Sequence, residues 1–228
     1  MGRIEAIFFD CDGVIVDTEP VHYRSFLETL KPFGIYFTYE TYAKKYIGFD
    51  DRDGFREILR EHNVRPEQAL IERLIAEKNA KVLRYASEVK PFDGVVDFIK
   101  AAKASNMSLA LVSGALRNEV LAFLKSIGLY DAFDVFVTAE DVTKSKPDPE
   151  SYLLARRKLE LLLGRTLSPE KCVVFEDTPS GVEAAKKAGL QVIAVTNSFP
   201  AESLGAADMV IAGFSGMTPE KLGLLLDD

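Results

Sequence analysis

The chain predicts a doubly wound α/β fold, a parallel-sheet core interrupted by an all-helical insertion. Three observations carry this. Six short apolar runs have the composition of strands buried on both faces, and helical periodicities separate most of them. About 70 residues after the first run carry helical patterns alone, far beyond the ~4–6 residues of an ordinary connection. Strand and helix alternation calls for a parallel sheet covered by helices.

The first strand is IEAIFF (4–9). Helical patterns then cover 20–31, 38–46, 51–61 and 66–85, so residues 17–89 are expected to form a helical cap. Residues 1–16 and 90–228 are left to form the α/β core, entered again near Lys90 and Pro91. The segment 94–104 places Val95, Phe98, Ile99 and Ala102 at helical spacing, and LALV (109–112) is the next strand. A helix over 117–127 presents Val120, Leu121, Leu124 and Ile127, and Gly128 supplies its C′ position. After DVFVT (134–138), Asp148 is expected to cap a helix with Pro149 in its first position and Tyr152, Ala155 and Leu159 on its buried face. CVVF (172–175) precedes a helix opened by a Ser180–Glu183 capping box and closed by Gly189. QVIAV (191–195) and DMVIA (208–212) complete the strand set.

Composition sets limits on function. A 228-residue chain that is 47% hydrophobic can bury a sizeable core, and its net charge of −7 disfavours nucleic acid or an anionic membrane as partner. The pairs Arg156–Arg157 and Lys186–Lys187 read as solvated helix faces. Cys11 and Cys172 read as buried free thiols, and two Cys with His22 and His62 at wide spacing make no structural zinc site. No apolar stretch approaches ~18 residues, and the start carries neither a signal-peptide nor a myristoylation pattern. A cytoplasmic protein is expected, acting as a monomer.

The stretch FFDCDGVIVDTEP places Asp10, Asp12 and Asp17 directly behind a buried strand. Ligands of open parallel sheets bind beyond the carboxyl ends of the strands. The other strand ends are polar too: LALVSG ends in Ser113–Gly114, CVVFED ends in Glu176–Asp177, and KSKPDP holds Lys146 before Pro147. Folding would gather four carboxylates (Asp10, Asp12, Glu176, Asp177) with one lysine and one serine. That balance needs a cation, and an all-oxygen site that also takes phosphate suits Mg²⁺. Ser113 and the N–H groups that follow it offer phosphate donors. Taken singly, each feature has an ordinary explanation: a D-x-D turn, a helix-capping serine, a polar βα loop. A calcium loop fails, because Val14 and Val21 stand where acidic ligands are needed.

DCDGVIVDT, VSG, KSKPDP and FEDTPSG, in that order, resemble the four motifs of the haloacid dehalogenase superfamily. The helical insertion resembles the cap of its β-phosphoglucomutase-like branch. The resemblance implies Mg²⁺-dependent phosphoryl transfer on a small phosphate ester through an aspartyl-phosphate. It implies Asp10 as nucleophile and metal ligand, and Asp12 as general acid/base with its carbonyl on the metal. Ser113 and Lys146 are then the phosphate-orienting pair, and Glu176 and Asp177 the remaining metal acids. A dehalogenase is disfavoured, because the second acid and the ED pair belong to phosphate-handling members. A free aspartate near pKa ~3.9 is protonated only about once in a thousand at pH 7, so cap closure or substrate is expected to raise the pKa of Asp12.

The cap is expected to choose the leaving group through His22, Gly48, Arg52 and Lys78, with Ser113, Gly114 and Lys146 holding phosphate. In YIGFDDRDG the resembling mutases carry an arginine three residues after the glycine; here Asp51 stands there and Arg52 is displaced by one. That reversal of charge favours a sugar-phosphate phosphatase over a phosphomutase. A phosphoacceptor domain or non-catalytic phosphate-binding protein fits less well, since neither explains the helical insertion or the pairing of Asp12 with Asp10.

Overall fold

The protein is described from a computed structural model covering residues 4–227. Strand β1 (Ala6–Phe9) leads through a short β2 (Val16–Asp17) into four helices: α1 (Glu19–Leu30), α2 (Tyr39–Lys45), α3 (Asp51–Glu61) and α4 (Gln68–Tyr85). Strand β3 (Lys90–Pro91) returns the chain to α5 (Val95–Ala104), β4 (Ser108–Val112), α6 (Arg117–Ser126) and β5 (Val135–Val137). Then follow α7 (Glu150–Leu163), β6 (Cys172–Glu176), α8 (Pro179–Lys187), β7 (Gln191–Val195), β8 (Met209–Ile211) and α9 (Pro219–Asp227).

Six strands form one parallel sheet in the order β5-β4-β1-β6-β7-β8. The chain steps from β1 outward through β4 and β5, then crosses to build β6, β7 and β8 on the other side. Strand β1 therefore lies at the reversal of strand order, where an open sheet parts its loops and leaves a crevice. Alternate residues feed two cores. Ile7, Phe9, Leu109, Leu111, Val173 and Phe175 pack beneath α5 and α6, while Phe8, Ala110, Val112 and Val174 pack against α7 and α8. Phe9 stacks on Phe175 at 5.3 Å between ring centres, with Phe98, Phe133 and Phe214 around it. The last turn of β1 thus rests on a wall of aromatic rings that leaves it little freedom to shift.

The helical insertion has an apolar core of its own, built from residues such as Phe26, Leu30, Tyr42, Phe55, Ile58 and Leu74. The far end of α4 does not join it: Val82 and Tyr85 pack into the core of the sheet. Strands β2 and β3 pair antiparallel, Val16 with Pro91 and Asp17 with Lys90, so the two crossings between the units are tied as one short ribbon. That ribbon escaped the sequence, since two-residue strands carry no periodicity.

Several local expectations shift. Helix α8 is capped by Thr178, whose Oγ1 accepts from the Gly181 N–H at 3.1 Å; Ser180 lies inside the helix, so the Ser180–Glu183 capping box does not form. Helix α7 begins at Glu150, with Pro149 as the N-cap residue, although Asp148 Oδ1 still accepts from the Glu150 N–H at 3.0 Å. Gly128 adopts φ 72° at the end of α6, as its place after Ile127 requires. Both cysteines are free and buried. Among the described residues no helix is long and apolar enough to cross a membrane.

Two stability tests follow. Asp141 joins three elements: it accepts from the Thr138 N–H at the end of β5, from Arg117 of α6 and from Lys158 of α7. Burial opposes its charge, but Lys158, Thr138 and Arg117 bring its carboxyl down to about 2. A carboxyl lowered by folding stabilises the fold above its unfolded value and loses that contribution as pH falls from ~4 toward ~2. Asp141→Ala should cost about 1–2 kcal/mol at pH 7, with part of the ion pairing screened, and the deficit should vanish near pH 2 in urea titrations. Gly181 tests the approach of α8 to β6. A Cβ there would lie 2.0 Å from Glu176 Cδ, a buried side chain with no room to retreat. Gly181→Ala should therefore destabilise by about 1–3 kcal/mol in the same assay, although alanine is the better helix former.

Candidate active site

The register of the sheet builds the site. Phe9 stands level with Leu111 and Phe175, so the residues just past the three strand ends meet: Asp10 after β1, Ser113 after β4 and Glu176–Asp177 at the end of β6. The Asp10 N–H donates to the Phe175 carbonyl at 3.0 Å and the Ser113 N–H to Val137 at 3.0 Å, so the backbone stays tied into the sheet at the site.

Lys146, from the loop before α7, enters this cluster. Its Nζ donates to Asp10 Oδ1 at 2.5 Å, Glu176 Oε1 at 2.6 Å and the Val112 carbonyl at 3.2 Å. Burial would push the lysine down, but Asp10 and Glu176 hold it well above the ordinary lysine range, so it stays an ammonium. Tyr152 of α7 adds a hydroxyl donor to Glu176 Oε1 at 2.6 Å. One ammonium does not balance the acids. Burial drives the Asp10 carboxyl well up, Lys146 opposes it, and Glu176 and Asp12 push it further. Burial also raises Asp177, with Asp10 and Glu176 adding to the effect.

Asp10, Glu176 and Asp177 each offer an oxygen, all lying within 4.8 Å of one another, and all three residues are buried. Asp177 Oδ1 is buried with no hydrogen-bond partner. An orphaned carboxylate oxygen in an all-oxygen cluster that resists full ionisation is a fit for a hard divalent cation. Asp10, Glu176 and Asp177 are suited to hold such a cation, Mg²⁺ among them.

Asp12 has a separate environment. Its side chain accepts from Thr18 Oγ1 at 2.6 Å and Ser113 Oγ at 3.0 Å, with His22 Nε2 at 3.2 Å. Burial pushes its carboxyl up, but His22, Thr18 and Ser113 outweigh it and bring it to about 2. Without substrate, then, the donors around Asp12 favour its charged form, and of the expectation that cap closure or substrate raises its pKa the part left to substrate stands as an expectation.

The cap reaches the core at several points. Asn79 and Asn118 exchange amide hydrogen bonds at 2.9 Å, Asn79 also donates to Glu119 at 3.0 Å, and Ser145 bonds Asp50. Lys78 is fully buried, 2.9 Å from His22 Nδ1 and 2.5 Å from Asp51 Oδ1. An ammonium at Nδ1 makes that nitrogen the acceptor and leaves Nε2–H to donate to Asp12. Burial would lower Lys78, but Asp51 and Glu119 hold it above its ordinary range.

One cavity lies between core and cap. Asp10, Asp12, Ser113, Gly114, Lys146 and Asp177 line it from the core, and His22, Gly48 and Lys78 line it from the cap. Arg52 does not: it is exposed and absent from the lining, and the displacement by one residue turns it off the cavity face of α3. Asp17 is exposed in β2 and takes no part in the acidic cluster. Thr18, Tyr152, Glu119 and the Asp51–Lys78 pair were missed. Thr18 stood in view in DTEP; the others sit at ordinary helix positions and acquire partners only in three dimensions.

The comparisons agree with this geometry. A family model described as haloacid dehalogenase-like hydrolase matches residues 7–195. A "Phosphorylated carbohydrates phosphatase" of Thermotoga maritima is 33% identical over 190 residues, covering 83% of this chain and 84% of that protein. The crystal structure of CbbY from Rhodobacter sphaeroides, in complex with phosphate, superposes with a TM-score of 0.83 at 29% identity, covering 93% of this chain and 95% of that one. A β-phosphoglucomutase from Clostridium difficile shares the fold, with a TM-score of 0.85 at 23% identity over 98% of this chain and 97% of its own. The chain belongs to the haloacid dehalogenase-like hydrolase family, as a phosphoric monoester hydrolase.

Proposed function

We propose that this hydrolase is a Mg²⁺-dependent phosphatase that cleaves a small sugar phosphate through an aspartyl-phosphate on Asp10, with Asp12 as general acid/base and residues 17–89 as its cap. The observation that carries it is the division of labour between two neighbouring aspartates. Asp10 shares Lys146 with Glu176 and a metal-fit cluster with Glu176 and Asp177, while Asp12 sits apart on Ser113, Thr18 and His22.

An Asp10 carboxylate oxygen attacks phosphorus as the bond from phosphorus to the leaving oxygen breaks, and the leaving alkoxide takes a proton from Asp12. Water then attacks the phosphoryl group and gives its proton to Asp12, and the bond between phosphorus and Asp10 breaks to release phosphate. Asp12 rests ionised before substrate binds, so the proton for the leaving group is taken up from solvent on binding, and the proton gained from water restores the balance. Lys146 and Ser113 orient the phosphoryl oxygens, and His22, its tautomer set by Lys78, aligns Asp12. Asp10, Glu176 and Asp177 would hold Mg²⁺, which would supply electrostatic stabilisation of phosphoryl charge. A phosphomutase also needs a free cation on the cap to hold a second phosphate, and two of the three donors of Lys78 already go to Asp51 and His22.

Asp10→Asn should keep the fold and lose p-nitrophenyl phosphate turnover by at least about 1,000-fold, since an amide is no comparable nucleophile. Equal turnover by both proteins would remove Asp10 from the role. The cluster also predicts that Mg²⁺ binds the native state alone. At ~100 times its Kd the gain is about 2.7 kcal/mol, or roughly 5–10 °C in melting temperature for a chain of this size. Asp177→Ala should erase that shift in a thermal melt, and EDTA should abolish turnover of the wild type.

A further inference from the structure

We infer that Asp51 is a specificity-determining residue: it bars a second anionic group from the leaving-group side of the cavity, selecting phosphate esters of uncharged, hydroxyl-rich alcohols. The inference rests on the phosphatase reading and adds to it what the cap accepts.

The argument starts from Lys78, the one cap lysine that lines the cavity. An ammonium has three N–H donors. One goes to Asp51 Oδ1 at 2.5 Å and one to His22 Nδ1 at 2.9 Å, and the group sits 4.6 Å from the centre of the Phe26 ring. The side chain is fully buried and ion-paired to Asp51, so most of its charge is offset inside the protein before any substrate arrives. Asp51 is the first residue of α3, where the positive end of the helix favours a carboxylate. Its second oxygen, Oδ2, is buried without a hydrogen-bond partner, and the residue lines the cavity. That oxygen is an acceptor waiting for a donor.

The surroundings favour hydroxyls over anions. Glu19 lines the same cavity with Oε2 accepting from Tyr42 at 2.6 Å, and Glu119 lines it from the core. Phe26, Tyr42 and Phe49 supply flat apolar faces between these acids. Carboxyl oxygens beside aromatic rings suit a polyol, whose O–H groups donate while its C–H faces pack on the rings. A second phosphate or carboxylate there would lie against Asp51 with no free ammonium to offset it. Lys144 also lines the cavity, but it is exposed and already 3.5 Å from Asp148.

The test compares kcat/KM within matched pairs, with Mg²⁺ present: glucose 6-phosphate against glucose 1,6-bisphosphate, and glycerol 3-phosphate against 3-phosphoglycerate. Turnover of p-nitrophenyl phosphate, whose leaving group carries no second anion to select against, reports the phosphatase reading separately. The expected result is at least a tenfold preference for the member without the second anion in each pair. Asp51→Asn should reduce that preference at least fivefold, because the amide removes the repelling charge and releases Lys78. Glu19→Gln should move it in the same direction, should Asp51→Asn fail to fold. Equal or better use of the doubly anionic members by a wild type that turns over p-nitrophenyl phosphate overturns the inference and leaves the phosphatase standing. A preference unmoved by folded Asp51→Asn overturns it as well.

Discussion

The contact between Lys146 and the carboxylates of Asp10 and Glu176 is the constraint around which the molecule is arranged. Removing a carboxylate from water costs several kcal/mol unless a partner offsets it, and here Asp10 and Glu176 share one partly buried ammonium while Asp177 beside them has none. The arrangement survives because adjacent parallel strands hold the groups in place. Asp10 follows β1, Glu176 ends β6 beside it, and the Val112 carbonyl at the end of β4 takes the third donor of the lysine. The shortfall of positive charge that remains is the reason the cluster is suited to a divalent cation.

The same crowding explains two glycines. A Cβ on Gly13, which has φ 78°, would fall 1.8 Å from Asp177 Oδ2, and one on Gly181 would fall 2.0 Å from Glu176 Cδ. In both places a carboxylate lies where a side chain would otherwise be. Backbone and acids are packed as one solid, so the oxygens suited to a metal are placed by volume as well as by hydrogen bonding.

A second lysine does different work. Lys146 lies among the acids at the strand ends, and Lys78 lies buried on the cap, tied to Asp51 and passing its influence through His22 to Asp12. The position of the cap therefore sets the environment of the residue proposed to move protons. The seat of the cap and the alignment of Asp12 are linked through one chain of contacts, reinforced by the Asn79–Asn118 amide pair at the cap edge.

The sequence by itself determined the sheet, the helical insertion and the residues at the strand ends, because these signals are local. A short apolar run, a helical period or a motif such as FEDTPSG is complete within a dozen residues. It also placed Asp51 opposite in charge to the arginine of resembling mutases, but it offered His22, Arg52 and Lys78 together as substrate contacts. Tertiary structure alone decided that Arg52 turns outward, that Lys78 is spent on Asp51 across 27 residues, and that Glu119 meets Asn79 across 40. It also decided that Asp12 is held ionised by Thr18, Ser113 and His22, donors that converge on it from the cap and from the end of β4. These outcomes depend on the angle at which the cap helices meet the core, which is set by packing among distant residues and leaves no periodic trace along the chain.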